Sequence, residues 1–78
     1  MVKSYVLIQI EGRDPRHIAE ELTEIEEVEN VNLIYGEYDL MAFVKTKDLI
    51  DLNELALEKI AKVHGVVKTS SLIVADSE

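Results

Sequence analysis

Two short segments of this chain are apolar on both faces, and that feature governs what it can fold into. Val2 to Ile10 alternates as a strand, with Val6, Ile8 and Ile10 on one face and Tyr5, Leu7 and Gln9 on the other. Leu40 to Val44 repeats the pattern, with Leu40, Ala42 and Val44 opposed to Met41 and Phe43. Strands of this kind belong in the interior of a sheet. Only 78 residues are available to cover them, and a domain of that size buries roughly 60–65% of its unfolded surface. The chain has no cysteine, so neither disulfides nor thiolate-bound metal can reinforce the core. Association with other copies is the remaining remedy.

The rest of the pattern supplies the partners of these strands. Glu11-Gly12-Arg13 breaks the first, and Asp14-Pro15 starts a helix, because Asp caps free amides and Pro fits the first helical position. Ile18, Leu22 and Ile25, with Ala19, form its inward stripe. Its other face carries Glu20, Glu21, Glu24, Glu26, Glu27 and Glu29, and no Lys or Arg occurs between Arg16 and Lys45. We read this as a solvated face in preference to a site for a basic partner; like charges one turn apart repel, so it is not expected to bury against itself. Val31, Leu33 and Tyr35 alternate with Asn32 and Ile34 as a second strand. Gly36-Glu37-Tyr38-Asp39 connects it tightly to the third, which Lys45 to Lys47 ends. A second helix runs from Asp48 or Asp51 to Val63, with Leu52, Leu55, Ala56, Ile60 and Val63 buried. Asp51 and Glu54 have the spacing of a capping box, and Gly65 stands where a left-handed C-cap belongs. Val66 to Val74 is the fourth strand, and Ala75 to Glu78 reads as a frayed tail.

The order strand, helix, strand, strand, helix, strand divides near Gly36 into halves alike in hydrophobic pattern only. It fits one domain over residues 1–78, an α+β ferredoxin-like βαββαβ sandwich. Its four-stranded antiparallel sheet has spatial order 4-1-3-2, with two helices on one face. Strands one and three are then central, and nothing in so short a chain covers their second face. That face is expected to pack on another subunit.

Charge narrows the partners. Sixteen acidic against 8 basic residues give a net charge of −8, which argues against binding phosphate backbones. No apolar run approaches a membrane span, and the N-terminus lacks the features of a secretory signal; a cytoplasmic location is expected. In the predicted topology the Gly36–Asp39 turn and Val67 to Ser71 lie at one end, on opposite sheet edges, three strand spacings or roughly 14–15 Å apart. One chain cannot close both around a small ligand; two subunits could. Thr69 and Ser71 share a face. Their hydroxyls suit a carboxylate or amide, or merely keep an edge strand polar. Gly36 suits a turn needing positive φ. Asp39 reads as a partner for an α-amino group or as an Asx-turn, and Tyr38 as an interface rim or a ligand cover.

These residues also resemble a known family. Gly36-Glu37-Tyr38-Asp39 is similar to the Gly-x-Tyr/Phe-Asp turn of the Lrp/AsnC regulators, and Gly65 to Val74 to their G-V-x-x-T-x-T-x-x-V strand. The resemblance covers essentially the whole chain but only the C-terminal effector (RAM) domain of those regulators, so the chain looks like a stand-alone RAM domain. It implies a ferredoxin-like fold, dimers joined through their sheets, and octamers built from dimers. It also implies a small amino acid bound between dimers, no cofactor, and possible mixed assembly with full-length regulators. The ligand residues it implies are Gly36, Glu37, Tyr38, Asp39, Thr69 and Ser71, with serine replacing the second threonine. The DNA-reading half is absent, so no direct nucleic-acid binding is expected.

Other readings are weaker. Small dimeric α+β barrels include enzymes, yet the chain has no P-loop, no G-x-S-x-G and no cysteine nucleophile. His17 and His64 fit a surface first turn and a last helical turn better than a zinc or catalytic site. An ACT-type amino-acid sensor would have Pro-Gly after the first strand, where this chain has Gly12 and, later, Pro15. RNA recognition on the sheet needs aromatics and positive charge, and there are 3 Tyr and 1 Phe in an acidic chain. A structural oligomer without ligand is the main rival.

Overall fold

The computed structural model describes residues 1–75. Its elements are β1 (Val2–Ile10), α1 (Pro15–Thr23), β2 (Val28–Leu33), β3 (Leu40–Thr46), α2 (Leu49–Glu54) continuing as a π-helical segment (Leu55–Ile60), and β4 (Val66–Ile73). The strands form one antiparallel sheet in the order β2-β3-β1-β4, so the two doubly apolar strands are central. Val6, Ile8, Leu40, Ala42 and Val44 are buried with Ile18 and Leu22 of α1 and with Leu52, Leu55 and Ile60 of the second helix. Both helices therefore lie on one face of the sheet, in the ferredoxin-like arrangement.

No described residue covers the opposite face. Tyr5, 38% exposed, pairs across strands with Phe43 and Leu72, the last 53% exposed. The Tyr5 and Phe43 rings tilt against each other with centroids 5.0 Å apart. Leu7 and Met41, also paired, are half-buried beside them.

Four local features differ from the sequence reading. β2 begins at Val28, three residues before the expected start, because a bulge between Val28 and Asn30 inverts the alternation. Val28 opposite Val44 and Val31 opposite Ala42 then both face the core. Consequently Glu26, Glu27 and Glu29 lie beyond α1 and not on its acidic face. Asp48, not Asp51, caps α2: its Oδ1 accepts the Asp51 amide at 2.8 Å. The helix then widens into a π turn closed by Ala61 N–H to Ala56 O at 2.9 Å. Ile60 is buried with Leu52, and Lys59 beside it pairs with Glu27. Finally, His64 lies in the turn after the π segment, outside any helix. The tail expected over Ala75 to Glu78 falls, apart from Ala75, outside the described residues.

Gly65 has the expected left-handed backbone but does not cap the helix, which ends at Ile60 with Ala61 as its C-cap and not at Val63; Gly65 instead closes the turn that leads into β4. It holds φ +99°, and a Cβ there would lie 2.9 Å from Ile18 Cδ1. The loop it ends is fastened by Glu11 N–H to Gly65 O and by Arg13 Nη1, which donates to His64 O at 2.8 Å.

Candidate functional site

The turn between β2 and β3 is held at the upper end of the sheet by its aspartate. Ladder pairing of β1 with β3 stops at Ile8 opposite Leu40. Beyond it, the Asp39 amide donates to Ile8 O at 2.9 Å, and Asp39 Oδ2 accepts the Ile10 amide at 2.9 Å. The carboxylate thus replaces a backbone carbonyl for one further rung. Asp39 O accepts Ile34 N–H and closes the hairpin. Gly36 adopts φ +129°, as its place in the turn requires.

The turn also leans over the end of β1. Gln9 Nε2 donates to Glu37 O at 3.4 Å, and Lys68 Nζ stands 5.8 Å from the centre of the Tyr38 ring. This corrects the expected separation of the turn from β4. Asp39 opens β3, an interior strand, and Tyr38 reaches across the one remaining strand to Lys68. Sequence reading passed over Lys68, although its position beside Thr69 in an acidic chain was visible.

Thr69 and Ser71 are placed elsewhere. They pair with Ile8 and Val6 and so share the helix-side face, whereas Lys68 pairs with Gln9 on the open face. Ser71 and Ile73 border an apolar groove of about 390 Å³ between β4 and the second helix, lined also by Leu49, Ile50, Leu52 and Ala56. The turn has its own hollow, about 270 Å³, lined by Pro15, Leu33, Ile34, Tyr35 and Asp39. Within one chain the six candidate residues therefore divide into a turn group and a β4 pair on different surfaces.

The surrounding charges serve the frame. Glu27 and Lys59 pair at 2.9 Å, which holds the Glu27 carboxyl below its ordinary value and the Lys59 ammonium above its own. The Arg16 amide, bound to the capping carboxylate, lowers Asp14 likewise. Among the described residues no group of three or more His, Cys, Asp or Glu side chains could hold a metal ion. None of the helices described is long and apolar enough to cross a membrane.

A ferredoxin-like sheet with one apolar face uncovered by the described residues and a glycine–aspartate turn locked to its end defines a small α+β sandwich domain. The chain belongs to the Lrp/AsnC ligand binding domain family, whose model matches residues 3–77. It is 35% identical over 77 residues to the HTH-type transcriptional regulator LrpA of Pyrococcus abyssi, covering 92% of this chain and 55% of that protein. The chain spans about half the length of the curated relatives it matches. Among solved structures, the hypothetical protein PHS023 of Pyrococcus horikoshii is 34% identical with a TM-score of 0.86, over 99% of this chain and 93% of that one. A feast or famine regulatory protein from M. tuberculosis, complexed with L-methionine, is 26% identical with a TM-score of 0.83, over 99% of this chain and 52% of that one.

Proposed function

We propose that this chain is a non-enzymatic, amino-acid-responsive oligomerisation module. Two copies join through the bare sheet faces, burying Tyr5, Leu7, Met41 and Phe43, and the dimers assemble further, up to an octamer. A free amino acid binds where the Gly36–Asp39 turn of one dimer meets Thr69 and Ser71 of another. Its carboxylate takes hydrogen bonds from turn amides and strand hydroxyls, and its ammonium group pairs with Asp39 or a carbonyl. Mixed assembly with full-length regulators of the family, in the cytoplasm, would carry the signal to DNA that this acidic chain does not itself bind.

The observation that carries the reading is the division of the six residues between two surfaces of one chain. A site needing both groups is complete only between copies, so ligand binding and assembly are thermodynamically linked. The methionine complex of the mycobacterial relative supports an amino acid as the ligand class. The test is thermal shift against the twenty amino acids, combined with native mass spectrometry. The expected result is an amino acid that raises the melting temperature and changes the subunit count together. Stabilisation by none of the twenty would reduce the protein to a scaffold.

A further inference from the structure

The groove beside β4 and the turn of β2 have complementary shapes and chemistry. The groove is lined by aliphatic side chains, with Ser71 and Asn53 as its polar groups and no charged residue. That is unusual surface for a chain of net charge −8. Ile50 on its wall is 76% exposed, and Leu49 and Ile73 are more than half exposed. Across the molecule, Tyr35 projects entirely into solvent, at 105% relative exposure, beside Leu33 at 52%. The only charged residue in the turn hollow is Asp39, whose carboxylate is engaged by the Ile10 amide.

We infer that Tyr35 of one copy inserts into the β4–α2 groove of another, forming a one-way contact between sheet-packed dimers. Size, polarity and charge make the Tyr35 ring of a second copy a fit for the groove. The groove's volume of about 390 Å³ admits a phenol ring, and a buried tyrosine removes about 150–250 Å² from water. The phenol hydroxyl needs a polar partner in the groove, and Ser71 and Asn53 supply one. Neither lining brings an unpaired charge, so burial carries no large desolvation cost. The acidic face of α1, with Glu20 and Glu24 exposed, repels its own copy and leaves these uncharged corners as the surfaces free to meet.

The placement fixes the kind of contact. Leu33 is opposite Leu40, Leu40 opposite Ile8, and Ile8 opposite Thr69. Three strand spacings, about 14–15 Å, therefore separate the two edges. Tyr35 continues beyond one end of the sheet while Ile73 lies toward the other. Tyr35 cannot fill its own chain's groove. A knob at one corner and a socket at the opposite corner make a heterologous contact, which propagates into a ring or filament. One such contact is smaller than a standard interface of about 800 Å² per partner. A sheet-packed dimer presents two knobs and two sockets, so neighbours are held multivalently.

The inference rests on the proposed assembly of dimers but not on any amino acid being bound. It is tested with Tyr35→Glu and Ile50→Glu, both at exposed side chains, by native mass spectrometry and sedimentation velocity at tens of micromolar, with circular dichroism as the check on folding. The wild type should exceed the dimer, and each variant alone should stop at the dimer. An equimolar mixture of the two should regain larger particles, because knobs intact on one meet sockets intact on the other. If charge at either site costs folding, Tyr35→Ser and Ile50→Ser replace the pair with the same expectations. A wild type that never exceeds a dimer, a variant of undiminished size, or a mixture no larger than its parents overturns the contact. Thermal shift by amino acids, run on the same samples, reports separately on the ligand reading: stabilisation with variants of undiminished size refutes only the contact, and larger particles without stabilisation refute only the ligand.

Discussion

Asp39 carries two assignments that substitution can separate. One is structural: Oδ2 accepts the Ile10 amide at 2.9 Å in a partly buried position. The other is the proposed pairing with the ligand's ammonium group. Asp39→Ala removes both and leaves Ile10 N–H without its acceptor. A hydrogen bond to a charged group contributes about 1.5–3 kcal/mol. Partial access to water places the loss near the lower bound, about 1.5 kcal/mol. For a domain of this size that lowers the melting temperature by about 6–12 °C. Asp39→Asn keeps a side-chain oxygen for Ile10 N–H and should recover more than half of that shift. It does not recover the charge, so affinity for the stabilising amino acid should fall about 10–100-fold in both variants. Differential scanning calorimetry and titration calorimetry read the two quantities independently. Equal melting temperatures for Asn and Ala variants would refute the ladder role of the carboxylate. Wild-type affinity in the Asn variant would refute the ammonium pairing.

Three further outcomes follow from the frame. Gly65→Ala forces an L side chain to φ +99° with its Cβ 2.9 Å from Ile18 Cδ1; strain and overpacking together should cost about 2–4 kcal/mol in urea unfolding, and a change below about 1 kcal/mol would contradict the close approach. Ser4 is fully buried and its Oγ has no hydrogen-bond partner among the described residues; Ser4→Ala should therefore be neutral or stabilising by about 1 kcal/mol, and a loss of that size by denaturant titration would mean the hydroxyl is bonded in solution. Because Lys59 lowers the Glu27 pKa, their pair contributes stability that is present above the ordinary value of 4.5 and is lost as pH falls through the lowered one. Lys59, raised, contributes below its ordinary 10.5 and loses that contribution as pH rises through its folded value. Glu27→Gln should flatten both flanks of the melting temperature against pH, and unchanged flanks would remove the pair from the account.

The fold was legible because its strongest signals are non-local in consequence but local in pattern. Alternation in β1 and β3, apolar on both faces, required central strands, Asp14-Pro15 marked the start of α1, and Gly65 marked the turn before β4, though not the end of the second helix. The errors have specific causes. A bulge after Val28 breaks period-two alternation, so the start of β2 was hidden and three glutamates were assigned to α1. The π turn at Leu55–Ile60 left no mark, because Leu52, Leu55, Ala56 and Ile60 also satisfy ordinary helical spacing. Asp48 and Asp51 both suit a cap, and only the geometry at the end of β3 selects Asp48.

The candidate site was less legible for a different reason. Sequence motifs report which residues are present, whereas a shared site depends on which surface each one occupies. Thr69 and Ser71 follow Lys68 in the chain, yet β-strand alternation puts Lys68 beside Tyr38 on the open face and the two hydroxyls on the helix-side face, where Ser71 borders the groove with Ile50. Tyr35 read as the last residue of a strand, although the hairpin closes at Ile34 and leaves its ring free. Tyr35 stands in water on a hairpin closed by Ile34 N–H to Asp39 O, away from a neutral groove it cannot reach, and the proposed contact gives it a place in another molecule. In the proposed assembly the amino-acid site and the subunit contact are adjacent, since Ser71, which borders the groove, belongs to both. On these two proposals a ligand at Ser71 would alter the socket that receives Tyr35, so occupancy and assembly would be coupled through a single side chain.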